Sequence, residues 1–120
     1  MPILIGLVGP CSSGKSVLQA GLEAAGYTVR HIAQEHSYVP YMWQRLTNPD
    51  ILIYLDVDFP AVQARRPRTH GGPERLAEQH KKLAHAREHC DFYLDTSALS
   101  PAEVKEQVLH FLQAAGVQPA

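Results

Sequence analysis

The sequence predicts an α/β domain, a three-layer sandwich with a short parallel sheet of about four strands and helices on both faces. Three observations predict it. Short, nearly continuous apolar runs recur along the chain, the mark of strands covered on both faces. Between them lie stretches with apolar residues three and four apart, the helical period. Caps and turn residues separate the two kinds of stretch. Strands alternating with helices imply parallel pairing through right-handed crossovers. The favoured strand order is 2-1-3-4, with 2-3-1-4 as the alternative. Residues 1–120 are read as a single domain, which suits their number.

Ile3 to Val8 form the first apolar run and lead straight into a glycine-rich segment. From Lys15 the period changes. Val17, Leu18, Gly21, Leu22 and Ala25 share one helical face, and Gly26 supplies the left-handed residue that ends many helices. Tyr27 to Ile32 read as a second strand. From Ala33 to Asp50 the pattern is less regular. Pro40 to Leu46 suit a short helix, and Asn48-Pro49-Asp50 suit a turn. Ile51 to Val57 form the strongest strand, and Asp58 suits the cap of a helix opening at Phe59-Pro60.

The run Arg65-Arg66-Pro67-Arg68-Thr69-His70-Gly71-Gly72-Pro73 breaks that helix and reads as a mobile basic loop. Pro73 to about His89 read as one charged helix with Leu76, Leu83 and Ala84 facing inward. Phe92-Tyr93-Leu94 is the last strand. Ser100-Pro101-Ala102-Glu103 matches a capping box. Val104, Val108, Phe111, Leu112 and Ala115 then mark one helical stripe, which Gly116 ends.

Composition excludes several classes. Hydrophobic residues make up 45% and charged residues 19%, ordinary for a globular chain. With a net charge of −1 there is no domain-wide basic field, so no nucleic-acid partner is expected. No apolar run approaches the ~20 residues that span a bilayer, so no membrane association is expected. Met1-Pro2-Ile3-Leu4 has no basic region before its apolar run, so no secretory signal is expected. Of the two cysteines, Cys11 lies inside the glycine-rich segment, a poor place for a bridge. Two free thiols and a cytoplasmic location are the expectation. A domain this size buries only about two-thirds of its unfolded surface. Ligand or a partner subunit then matters for stability, and a homo-oligomer stays open.

The segment Gly9-Pro10-Cys11-Ser12-Ser13-Gly14-Lys15-Ser16 is a full Walker A motif, following an apolar strand and preceding a helix. Its glycines let successive backbone N–H groups curl into one concavity. That concavity and the start of the helix, including Val17, stabilise phosphate oxygens. Lys15 reaches the outer phosphates and Ser16 offers a hydroxyl to Mg²⁺. The expected ligand is ATP, or another nucleoside triphosphate, with Mg²⁺.

From Ile5 to Ser16 the chain resembles the opening of P-loop kinases acting on nucleotides and small metabolites, within the P-loop NTPase superfamily. Ile51 to Asp58, with the helix ending in Arg65-Arg66, resembles the strand and lid approach there. Asp91 to Ser97, with the helix after Ser100, resembles the final strand and helix. The resemblance implies Mg-ATP binding and transfer of the γ-phosphoryl group to a small acceptor, here unknown. The chain departs from that pattern in length. About eighteen residues separate the second strand from Ile51, where family members place an acceptor-binding region and a Walker B strand. Both are reduced or absent.

Weaker signals surround the motif. Asp56 ends an apolar strand and suits either Mg²⁺ binding through water or a plain strand-end carboxylate. Glu35 lies beyond the second strand, where ligands of such sheets sit, and is the candidate for the acceptor side. The alternative for Glu35, and for His36 beside it, is a solvated loop position. Arg65, Arg66 and Arg68 suit a lid that neutralises phosphate charge, or simply cations at a helix C-terminus. His85 and His89 lie four apart with Cys90 adjacent, yet lack the partners a zinc site needs. Tyr41, Met42 and Trp43 suit a base or acceptor pocket, or core packing. Cys11 suits an oxidation sensor, or a small residue that the loop requires. Three readings follow: a minimal kinase, a non-catalytic nucleotide-binding module, and a slow NTPase.

Overall fold

The computed structural model describes residues 2–68 and 71–119 of the chain. Strands β1 (Leu4–Val8), β2 (Thr28–His31), β3 (Ile51–Asp56) and β4 (Phe92–Asp95) form one sheet in the order β2-β1-β3-β4. All pairings are parallel, with Ile5 opposite both Val29 and Ile51, and Ile53 opposite Phe92. This is the favoured order. The helices among the described residues are α1 (Lys15–Ala24), α2 (Met42–Leu46), α3 (Phe59–Arg65), α4 (Gly72–Lys82), α5 (Ala84–His89) and α6 (Pro101–Ala114). A 3-10 turn spans Gln34–His36.

Alternation along the strands divides the core in two. Ile5, Leu7, Ile53 and Leu55 face α1 and α6, where they meet Leu18, Leu22, Val104, Val108 and Leu112. Val8, Leu52 and Tyr54 face the other way and meet Trp43 of α2, Leu83 and Ala86. Each fully buried leucine contributes roughly 1.5–3 kcal/mol over an exposed one. The central strands β1 and β3 are thus covered on both sides and read as nearly unbroken apolar runs, whereas the edge strands β2 and β4 carry exposed residues such as Arg30 and Asp95.

Two aspartates extend the parallel pairing at the strand starts. Asp50, just before β3, accepts the Leu4 amide at 2.8 Å and returns its own amide to the Leu4 carbonyl. Asp91, just before β4, does the same for Leu52 at 2.8 Å. Gln34 is buried with its amide satisfied. It donates to the carbonyls of Val39 and Lys82 and accepts from the Trp43 amide, tying the 3-10 turn to α2 and α4.

The caps stand where the residues predict. Asp58 accepts from the Ala61 amide at 2.9 Å at the start of α3. Ser100 and Glu103 form both bonds of the capping box. Gly26 and Gly116 follow α1 and α6 at φ 97° and 75°.

Other expectations need correction. The single helix expected from Pro73 to His89 is two helices that meet at Leu83. Its amide is shared by the carbonyls of Gln79 and His80, which tightens the last turn of α4. The buried Leu83 side chain anchors this bend, and α5 then presents Ala86 to the sheet while Ala84 is exposed. The apolar stripes are also narrower than expected. Val17 is 59% exposed, and Ala25 and Ala115 sit exposed at helix C-caps. No helix among the described residues is long and apolar enough to cross a membrane.

Candidate phosphate-binding site

The loop after β1 leaves the sheet by a route that only glycine permits at its first residue. Gly9 has φ 152°, and a Cβ there would lie 2.0 Å from the Leu55 carbonyl oxygen. Ser12 and Gly14 both adopt left-handed backbone, at φ 70° and 97°. For a serine that conformation costs on the order of 1–3 kcal/mol. The Ser13 amide closes the curl by donating to the Pro10 carbonyl at 3.2 Å. Gly14 is the N-cap of α1 and supplies no capping side chain. The amides of Gly14, Lys15 and Ser16 accordingly have no hydrogen-bond acceptor among the described residues. Unpartnered amides at a helix start, with the positive end of its dipole, form an anion-binding surface.

Lys15 lies inside the curl rather than in solvent. Its ammonium donates to the Gly9 carbonyl and, at 2.5 Å, to Oε2 of Glu35. The two side chains are 4% and 3% exposed. Glu35 arrives there because β2 pairs directly with β1, so the chain leaving β2 passes beside the loop, and the 3-10 turn folds Glu35 under it. Burial holds the Lys15 ammonium below its ordinary pKa, and the Glu35 charge opposes that shift. His31, at the end of β2, is also lowered, by burial first and then by the Lys15 charge. Three buried polar atoms around this loop have no partner among the described residues: Ser12 Oγ, Ser13 Oγ and Glu35 Oε1. Such atoms are rare unless something else satisfies them.

Three cavities meet at the loop. The first, about 310 Å³, is lined by Cys11 to Val17 with Glu35, His36, Arg65 and Arg66. A second, about 330 Å³, shares Cys11, Ser12 and Arg66 and adds Arg68, Arg75 and Gln79. The third, about 280 Å³ and largely apolar, lies between the loop and α6, against Val17, Leu99, Pro101 and Val104.

The arginines divide. Arg65 donates to the Ser12 carbonyl at 2.8 Å and to the Thr96 carbonyl at 2.5 Å, so it braces the loop against the end of β4. Arg66 and Arg68 face the cavities. Thr69 and His70, also read as part of that basic loop, lie outside the described residues.

The Asp56 side chain is not among those that line the three loop cavities. It shares a sheet face with Leu52 and Tyr54, and so turns toward α4. There it accepts from Tyr93 OH at 2.5 Å and pairs with His80 Nε2 at 2.8 Å. Burial, then the Asp56 carboxylate, pushes the Tyr93 phenol up to about 12. Tyr41, Met42 and Trp43 do not gather into a pocket. Trp43 is core and donates Nε1 to His85 at 3.1 Å, whereas Tyr41 is 45% exposed. His85 stacks on His89, with ring centres 4.2 Å apart.

No family model matches the chain, and no curated protein matches it significantly. The site therefore stands on its own chemistry. Gln79 and Thr96 belong to it, although their residue types carry no motif. Gln79 lies three residues after Leu76 and four before Leu83, on the inward stripe of α4. From there it accepts the Cys11 amide at 3.0 Å. Thr96 follows β4 at the strand ends where ligands of parallel sheets sit, and its hydroxyl is 3.1 Å from the Ser13 carbonyl.

Proposed function

We propose that the chain binds a nucleoside triphosphate, ATP with Mg²⁺, on the loop from Gly9 to Ser16, and transfers its γ-phosphoryl group to a small acceptor. One observation carries the reading: a curl of left-handed backbone leads into unpartnered helix amides and encloses a buried lysine. The loop amides and Lys15 hold the outer phosphates. A triphosphate draws Lys15 off the Gly9 carbonyl, because the anion offers it a stronger acceptor. Ser16, exposed in the first turn of α1, is the direct ligand for Mg²⁺, which neutralises phosphate charge. Glu35 is then the carboxylate at hand for the acceptor side. The apolar cavity against α6 suits the base. The cavity bearing Arg66, Arg68 and Arg75 suits an acceptor that carries a phosphate or carboxylate.

A second reading, a nucleotide-binding module without turnover, has its own support. Between β2 and β3 the described chain holds only the 3-10 turn and the short α2, and Asp56 is engaged elsewhere. Little is left there to grip an acceptor.

Thermal melting with Mg-ATP tests binding. At a hundredfold over Kd the ligand stabilises by about 2.7 kcal/mol. That is on the order of 10 °C for a domain this size. Lys15→Ala is expected to lose the shift, and no shift in the parent protein overturns the proposal. Labelled ATP with a panel of hydroxyl-bearing anions then separates the readings. A phosphorylated acceptor supports the kinase, free phosphate without acceptor a slow NTPase, and unchanged ATP the binding module.

A further inference from the structure

At the mouth of the loop three side chains of different chemistry converge. Cys11 Sγ lies 3.5 Å from His36 Nε2 and 4.0 Å from Glu35 Oε2, and those two atoms are 3.9 Å apart. Zinc holds sulfur at about 2.3 Å and nitrogen or oxygen at about 2.0–2.2 Å. A tetrahedral cage with those bonds has edges of roughly 3.4–3.6 Å. The observed triangle is within about half an ångström of that cage. Turning the exposed His36 ring adjusts the edges that meet at Nε2, and a small shift of the Cys11 side chain closes the 4.0 Å edge from sulfur to Oε2.

We propose that Cys11, Glu35 and His36 form a three-ligand site for a thiophilic divalent cation of the zinc class, with its fourth position open to the phosphate-loop cavity. All three residues line that cavity. A second, independent observation supports it. Glu35 is buried, and its Oε1 has no hydrogen-bond partner among the described residues. Both measured edges run to Oε2, the oxygen that also accepts from Lys15, so that oxygen is shared between the ammonium and the metal, and Oε1 is a further acceptor on the same carboxylate. Gln79 sits behind the sulfur, donating Nε2 to Cys11 Sγ at 3.3 Å while accepting the Cys11 amide. This fixes the direction of the thiol, as outer partners of metal ligands do. On binding, the metal–sulfur bond forms as the thiol releases its proton to solvent, so one proton leaves per metal. The inference is independent of any nucleotide.

Cobalt(II) titrated into the metal-free, nucleotide-free protein tests it, because a cobalt–thiolate bond gives a charge-transfer band in the near ultraviolet. The parent protein is expected to develop that band to saturation at one equivalent and to lose it when zinc is added. Cys90→Ser is expected to keep the band. Cys11→Ser and His36→Ala are each expected to lose it. His36 is exposed, so its replacement leaves the fold intact even if Cys11→Ser does not. No band in the parent protein, a band that survives His36→Ala, or one that depends on Cys90 overturns the site.

Discussion

Lys15 and Glu35 form an ion pair at 2.5 Å with both side chains almost fully buried. Such a pair contributes little net stability, yet breaking it from one side strands a charge in a poor solvent, at about 3–5 kcal/mol. Lys15→Met and Glu35→Leu are each expected to lose stability in that range. The double variant should lose clearly less than the sum. Urea unfolding of the four proteins measures this. Additive losses would show the two residues to be energetically independent.

Gly9→Ala is expected to damage both the fold and the loop. The added Cβ would meet the Leu55 carbonyl oxygen at 2.0 Å, backbone that cannot move without disturbing β3. A loss of roughly 1–3 kcal/mol is expected from the crowding, together with loss of any stabilisation by Mg-ATP. Thermal melts with and without nucleotide check both. An unchanged melting temperature would mean that the chain leaves the sheet by another path.

Asp91→Ala is a test far from the loop. Leu52 is buried, and the Asp91 carboxylate accepts its amide at 2.8 Å. An orphaned buried amide costs about 1–3 kcal/mol, so that is the loss expected from this surface substitution. Asp91→Asn, which keeps an acceptor, should recover most of it in the same denaturant titration.

The Glu103 carboxyl is held below its ordinary pKa by the Ser100 amide, then by the Ser100 hydroxyl. Its folded pKa is thus below the unfolded one. The capping bond contributes at pH above the unfolded value and is lost as pH falls through the folded value. The stability difference between the parent protein and Glu103→Ala should therefore be constant near neutrality and shrink in acid, as followed by circular dichroism across that range. A difference that grows in acid would contradict the capping role.

Much of this molecule was legible in its residues because local chemistry and tertiary demand agree. Ile51 to Leu55 can only be a covered strand, and Ser100 with Glu103 can only open a helix. The path of the loop was legible because backbone at positive φ, as at Gly9 and Gly14, favours glycine. Asp56 was ambiguous because its direction depends on strand alternation and on partners such as His80, which lies on another element. Arg65 read as a lid residue or a cation at a helix end, because nothing near it in sequence announces the carbonyls of Ser12 and Thr96. The bend at Leu83 was missed because helical periodicity continues through it, and only the pull of the buried side chain reveals it. Glu35 was read as lying just beyond the second strand, and the 3-10 turn there holds it. Its burial against Lys15 required knowing that β2 is the direct neighbour of β1.

The brace made by Arg65 has a kinetic corollary. It ties Ser12, at the crest of the curl, to Thr96, and the Thr96 hydroxyl lies 2.8 Å from the Asp56 carbonyl, so three separate crossings of the sheet share one knot. A segment already knotted in this way has little disorder left to surrender when an anion arrives. Under the nucleotide-binding proposal, capture there should run near the pace of collision, with salt slowing it by screening the arginines.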